Sequence, residues 1–209
     1  MSLLGFSLVL SAACCHAVWN FCVKKVNSGP ELIWLFSFCT VLIYFPVAVS
    51  VYLFNSVDIS LKTSLFVVGS VILHLGYFLL LQVGYRKGDL SIVYPIARAT
   101  GPVLSTTFAV FILGENITPQ VLIGGIIVIF AISQLNSGTR SRNNNFIASS
   151  LFGLSAGALI GSYTVWDAYI VSVLLFPPLL LDYVSSLGRC VLLAPVALKK
   201  KDQIYSLYW

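Results

Sequence analysis

The sequence predicts an all-α integral membrane protein of about seven transmembrane helices. One complete five-helix repeat is followed by the first two helices of an inverted second repeat. Three observations predict it. Of 209 residues, 58% are hydrophobic and 9% are charged, and the mean hydropathy is +0.95. A soluble domain carries about a quarter charged residues, so too few polar side chains remain here to coat a water-facing surface. Long, continuously apolar runs alternate with short polar connections. Finally, two short patterns recur in the same order in the two parts of the chain.

Segment one runs from about Leu3 to Val23 and stops at Lys24-Lys25; segment two runs from Glu31 to Phe54. Segment three covers Ser64 to Tyr85, before Arg86-Lys87-Gly88-Asp89, and segment four covers Leu90 to Leu113. Segments five, six and seven cover Pro119 to Leu135, Phe146 to Leu175 and Pro178 to Leu198. Each approaches or exceeds the roughly 20 residues that a helix needs to cross the hydrocarbon. Lipid offers the backbone no hydrogen-bond partner, so these runs must be helices; barrel strands would be shorter and would alternate in polarity. No Lys or Arg precedes the first run, so it lacks the basic start of a signal peptide and reads as a retained helix. In Gly114-Glu115-Asn116-Ile117-Thr118-Pro119, Gly114 suits a left-handed helix end. Thr118 suits an N-cap there, and Pro119 suits a first turn.

The loops after segments one, three, five and seven hold Lys24, Lys25, Arg86, Lys87, Arg140, Arg142, Lys199, Lys200 and Lys201, against Lys62 on the opposite side. The positive-inside rule places the basic side in the cytoplasm and the N-terminus outside. The net charge of +5 therefore points to lipid headgroups rather than to nucleic acid. The five cysteines, Cys14, Cys15, Cys22, Cys39 and Cys190, lie inside apolar runs without CxxC spacing, and read as small apolar side chains. They form no metal set with His16 and His74, and no cofactor is expected.

The polar stretch 136–145 divides the chain into a first repeat, 1–135, and a partial second repeat, 146–209. Val18-Trp19-Asn20 in segment one matches Val165-Trp166-Asp167 in segment six; Phe45-Pro46-Val47-Ala48 in segment two matches Ala194-Pro195-Val196-Ala197 in segment seven. Trp and Pro are 27 residues apart in the first copy and 29 in the second. An odd number of spans separates the copies, so the second enters the membrane from the opposite side. Such inverted repeats are a common plan of secondary transporters. Three further helices would complete the second copy, so the chain reads as truncated at its C-terminal end.

Three stretches carry a family resemblance: His16-Ala17-Val18-Trp19-Asn20 leading to Lys24; Gly88-Asp89 through Tyr94-Pro95-Ile96-Ala97-Arg98 to Gly101-Pro102; and Gly114-Glu115 through Thr118 to Gly124. Through them the chain resembles the EamA family of the drug/metabolite transporter superfamily. The resemblance implies two five-helix repeats around a central substrate cavity. It also implies export or exchange of small metabolites by alternating access. The buried Arg98 and the inverted repeat add the expectation of small organic solutes such as amino acids, carried across the inner (plasma) membrane, with no enzyme activity.

Arg98 lies eight residues into segment four, about 12 Å deep at 1.5 Å per residue. An Arg at a helix centre costs about 2.5–3.5 kcal/mol, so it is expected to face protein or a wet cavity. It can hold a carboxylate or phosphate bidentately. The alternatives are a structural ion pair with Asp167 or Asp182, and snorkelling. Tyr94 lies one turn earlier on the same face, and Pro95 and Pro102 bracket the Arg, as in a kinked, cavity-lining helix. Trp19-Asn20 and Trp166-Asp167 hold matching places in the two copies, where the indoles can wall an apolar or aromatic substrate; interfacial anchoring is the alternative for Trp19. Asp167, a costly intramembrane carboxylate, can bind a proton and couple transport to the proton gradient. These six residues are the candidate substrate site. Arg189 shares a helical face with Asp182 and is expected to pair with it. Gly153, Gly157 and Gly161 form a stripe for close helix packing or for a dimer face.

Two other classes compete. A seven-helix receptor of the retinal-binding kind needs a Lys deep in the last span, and its lysines stand at the very end. A membrane-embedded enzyme needs a nucleophile–base set or metal ligands, and no GxSxG or HExxH motif is present.

Overall fold

A computed structural model describes residues 3–26, 29–55, 57, 59–114, 116, 118–139 and 146–199. Seven helices account for nearly all of them: α1 (Leu3–Val26), α2 (Pro30–Phe54), α3 (Leu61–Lys87), α4 (Leu90–Leu113), α5 (Pro119–Thr139), α6 (Phe146–Ser172) and α7 (Pro178–Lys199). No strand occurs among the described residues. The chain is an all-α integral membrane protein. Over the described residues, α2, α3, α6 and α7 are long and apolar enough to cross a membrane, and the apolar stretches of α1 and α5 are shorter. Large apolar side chains such as Phe6, Leu53, Ile72, Ile127 and Phe130 stand exposed on the bundle surface, where lipid is their natural solvent.

Asp89, which the sequence reading leaves without a structural role, caps α4, its Oδ1 accepting from the Ser91 amide at 2.9 Å. The expected punctuation at 114–119 is in place. Gly114 ends α4 at φ 70°, in the left-handed region where a Cβ would strain the backbone. Thr118 Oγ1 accepts from the Val121 amide at 3.4 Å ahead of Pro119. Several ends differ from the sequence reading. α3 extends beyond both expected ends; Ser60 caps its start, accepting from the Thr63 amide at 3.2 Å. α5 continues to Thr139, into the stretch read as linker, since helical backbone bonds persist after the apolar run ends. α6 stops at Ser172, where Leu175 takes φ 52° and the Phe176 amide reaches back to the Ile170 carbonyl. This backward closure ends a helix ahead of two prolines that cannot extend it. The basic residues Arg140, Arg142, Lys200 and Lys201 lie outside the described residues.

The extensive helix pairings are α4 with α6, α2 with α7 and α3 with α6. The glycine stripe makes the first of them, so its face is intramolecular. A Cβ on Gly153 would stand 2.8 Å from Ile96 Cβ, one on Gly157 2.5 Å from Thr100 Cβ, and one on Gly161 2.8 Å from Leu104 Cβ. Ile92, Val93, Ile96 and Ala97 are almost wholly buried there. Because Val93, Ala97, Thr100 and Leu104 meet α6, Tyr94 and Arg98 are turned about a third of a turn away. α4 runs as one helix through Pro95 and Pro102.

Gly157→Val forces α4 and α6 apart and is expected to cost about 1–3 kcal/mol, the usual penalty of overpacking. Gly124→Ala meets nothing within 4 Å and serves as the control. Thermal unfolding in detergent should show a lower midpoint for the first and an equal or slightly higher one for the second, since Ala is the better helix former. Equal midpoints would contradict the close α4–α6 seam.

Candidate functional site

A cavity of about 420 Å³ opens among α1, α2, α3, α4, α6 and α7. That is the size of a small-molecule site. Trp19 of α1 and Phe36 of α2 form one wall, their rings 4.0 Å apart between centroids. Tyr77 and Phe78 of α3 and Tyr163 of α6 form another. The polar groups on this aromatic lining are few: His16, His74, Gln82, Arg98, Asp182 and Arg189 carry the charge or the strongest hydrogen-bonding capacity.

Arg98 reaches the cavity with its Nη2 hydrogen-bonded to His16 Nε2 of α1 and its guanidinium 5.5 Å from the centre of the Tyr94 ring. Tyr94 thus stands behind Arg98, with cation–π attraction fixing the side chain's direction. An Arg facing a cavity retains access to water, which removes much of the cost of placing it in hydrocarbon. Among the described residues Arg98 pairs with neither Asp167 nor Asp182, the partners of its alternative reading.

Asp167 belongs to a second polar cluster. Its Oδ1 accepts from Ser70 Oγ at 2.6 Å and its Oδ2 meets His74 Nε2 at 2.8 Å. Ser70 and His74 lie one turn apart on α3, so one helix face supplies both partners. The His74 ring packs on Tyr163 at 4.1 Å and lines the cavity, so His74 connects Asp167 to it. Beside this cluster Trp166 donates its indole N–H to the Phe66 carbonyl at 2.8 Å and stacks on the Phe66 ring. Gly69 makes the room, since a Cβ there would lie 2.7 Å from the indole.

Of the six candidate residues, Trp19 and Arg98 line the cavity and Tyr94 backs Arg98. Asp167 reaches it through His74, and Trp166 packs on α3 away from it. Asn20 lies on α1, and its side chain is outside the described residues. Arg189 and Asp182 both line the cavity, but among the described residues they form no ion pair; Arg189 donates to Ser186 Oγ at 2.8 Å instead.

His16, His74 and Gln82 were not singled out by the sequence reading as site residues. A usable signal exists for two of them. Ser70, His74 and Gln82 stand at positions i, i+4 and i+12 of an otherwise apolar span, which puts three polar side chains on one face of α3.

Residues 3–137 match the family model described as EamA-like transporter family. No curated protein and no solved structure matches the chain.

The Ser70–Asp167–His74 contacts predict energetic coupling between α3 and α6. A double-mutant cycle with His74→Ala and Asp167→Asn, read by unfolding in mixed micelles, should give a coupling on the order of 1 kcal/mol, the scale of interhelical polar contacts in membranes. Strict additivity of the two substitutions is the contrary result.

Proposed function

The chain belongs to the EamA-like transporter family, a family of multi-pass membrane transporters, and on that premise we propose that it is a secondary transporter of small organic metabolites that carry a carboxylate, such as amino acids. The observation that carries this reading is Arg98. It is a permanent cation held by His16 and Tyr94 at the wall of an aromatic-lined cavity between the helices. Its planar donor fork suits a carboxylate, and the Trp19 and Phe36 rings suit an apolar or aromatic body. Trp19, Asn20, Tyr94, Arg98, Trp166 and Asp167 are the residues assigned to this function. Trp19 and Arg98 stand at the cavity wall as binding groups, Trp166 packs on α3 away from it, and no covalent chemistry is assigned to any of the six.

Asp167 and His74 form the coupling element of this reading. A carboxylate and an imidazole sharing a hydrogen bond can take up one proton between them, and His74 faces the cavity. Alternating access would come from rocking of the residues 1–135 repeat against the inverted repeat that begins at residue 146. The expected location is the inner (plasma) membrane.

Proteoliposomes made with the full chain and loaded with a mixture of labelled amino acids test the reading. The wild type is expected to move at least one of them. Arg98→Ala should lower that flux about tenfold or more, the scale of a lost charge-assisted hydrogen bond. Asp167→Asn should retain exchange but lose its dependence on an imposed proton gradient. Wild-type flux in Arg98→Ala removes the role assigned to Arg98.

A further inference from the structure

Arg189 is the most deeply placed cation in the described bundle, ten residues before the end of α7. Its side chain is 7% exposed. Nη2 donates to Ser186 Oγ at 2.8 Å, and the guanidinium stands 5.1 Å from the centre of the Phe78 ring. Nη1 has no hydrogen-bond partner among the described residues, and the side chain lines the cavity. A ring face and one serine neutralise only part of a buried cation, and the remaining donor is costly to leave unpaired.

One turn from Phe78 on α3 is Gln82, also 7% exposed and also on the cavity wall. Its Nε2 donates to the Gly29 carbonyl at 2.9 Å. That bond fixes the orientation of the amide, because only the NH₂ end can donate to a carbonyl. The acceptor Oε1 is thereby the free end, and it has no partner among the described residues. Arg189 of α7 and Gln82 of α3 thus line one cavity, Phe78 meets the first and stands one turn from the second, and each keeps one unpaired polar atom among the described residues.

We propose that Arg189 and Gln82 form a two-point ligand site in which Arg189 holds an anionic group and Gln82 accepts a hydrogen bond from a donor on the same small molecule. The inference rests on the transporter reading and deepens it. It adds an anion contact on α7, more buried than Arg98, and a requirement for a donor. Phe78, between the two groups, gives the ligand's apolar part a surface. Asp182, two turns before Arg189 on α7, also lines the cavity.

Three probes that share one ring separate the two contacts: L-phenylalanine carries an anion and a donor, 3-phenylpropionate the anion alone, and phenethylamine the donor alone. Each is titrated calorimetrically into the full chain in lipid nanodiscs. The wild type should bind L-phenylalanine most tightly, 3-phenylpropionate more weakly, and phenethylamine least. Arg189→Lys keeps the buried charge but loses the fork, and should weaken both anions about tenfold or more. Gln82→Met keeps the volume and should weaken L-phenylalanine alone, erasing its advantage over 3-phenylpropionate. If Arg189→Lys does not fold, as judged by circular dichroism, the Gln82→Met comparison still decides. The proposal is overturned if the wild type binds neither anion, if Arg189→Lys binds both as before, or if Gln82→Met weakens both equally. Anion binding that survives Arg189→Lys but is lost in Arg98→Lys overturns this site and leaves the transporter reading intact. Binding that depends on Arg189 without flux in proteoliposomes does the reverse.

Discussion

The close approach of α4 to α6 is the constraint on which the rest of the bundle depends. Three glycines on one face of α6 leave no space for a Cβ against Ile96, Thr100 and Leu104. In lipid, apolar surface alone does not draw helices together, so such a seam holds by van der Waals contact over matched shapes. It also sets the rotation of α4. With Val93 and Ala97 buried against α6, Arg98 has to face another way, and the cavity is what it meets.

Around that seam the charged groups are handled in two ways. Asp167 is satisfied inside the bundle by Ser70 and His74, each contact joining α6 to α3. The two arginines are held less completely. Arg98 has His16 and the Tyr94 ring, and Arg189 has Ser186 and the Phe78 ring. No ion pair involving either arginine occurs among the described residues. Cations kept without a carboxylate partner on an aromatic-lined cavity are costly in a membrane unless water or an anionic ligand reaches them. The proposed binding role follows from that imbalance.

The helices were legible because the bilayer demands it: a span must be long and continuously apolar, and Gly114, Thr118 and Pro119 mark ends through local chemistry. The glycine stripe was legible for the same reason, since its period is that of one helix. The far end of α5 was not, because a helix can continue past its apolar run into polar sequence. The site was legible only in part. Arg98 stands out as a charge in a span, but its partner His16 lies 82 residues away, and His74 lies 93 residues from Asp167. No local period encodes such contacts. Trp166 matched Trp19 in sequence, yet the space opened by Gly69 draws its indole onto α3 and away from the cavity that Trp19 lines.

The most direct test asks whether the cavity is a wet pathway or a sealed gap. Thr40 of α2 lines it. A Thr40→Cys variant, with Cys14, Cys15, Cys22, Cys39 and Cys190 replaced by Ser or Ala, can be treated with a membrane-impermeant maleimide in intact vesicles of either orientation. Labelling of Thr40→Cys in the folded, lipid-embedded chain is the result expected for a solvent-reached binding cavity. Labelling only after denaturation would mean that water does not reach Arg98 and Arg189 by this route, and would contradict the account.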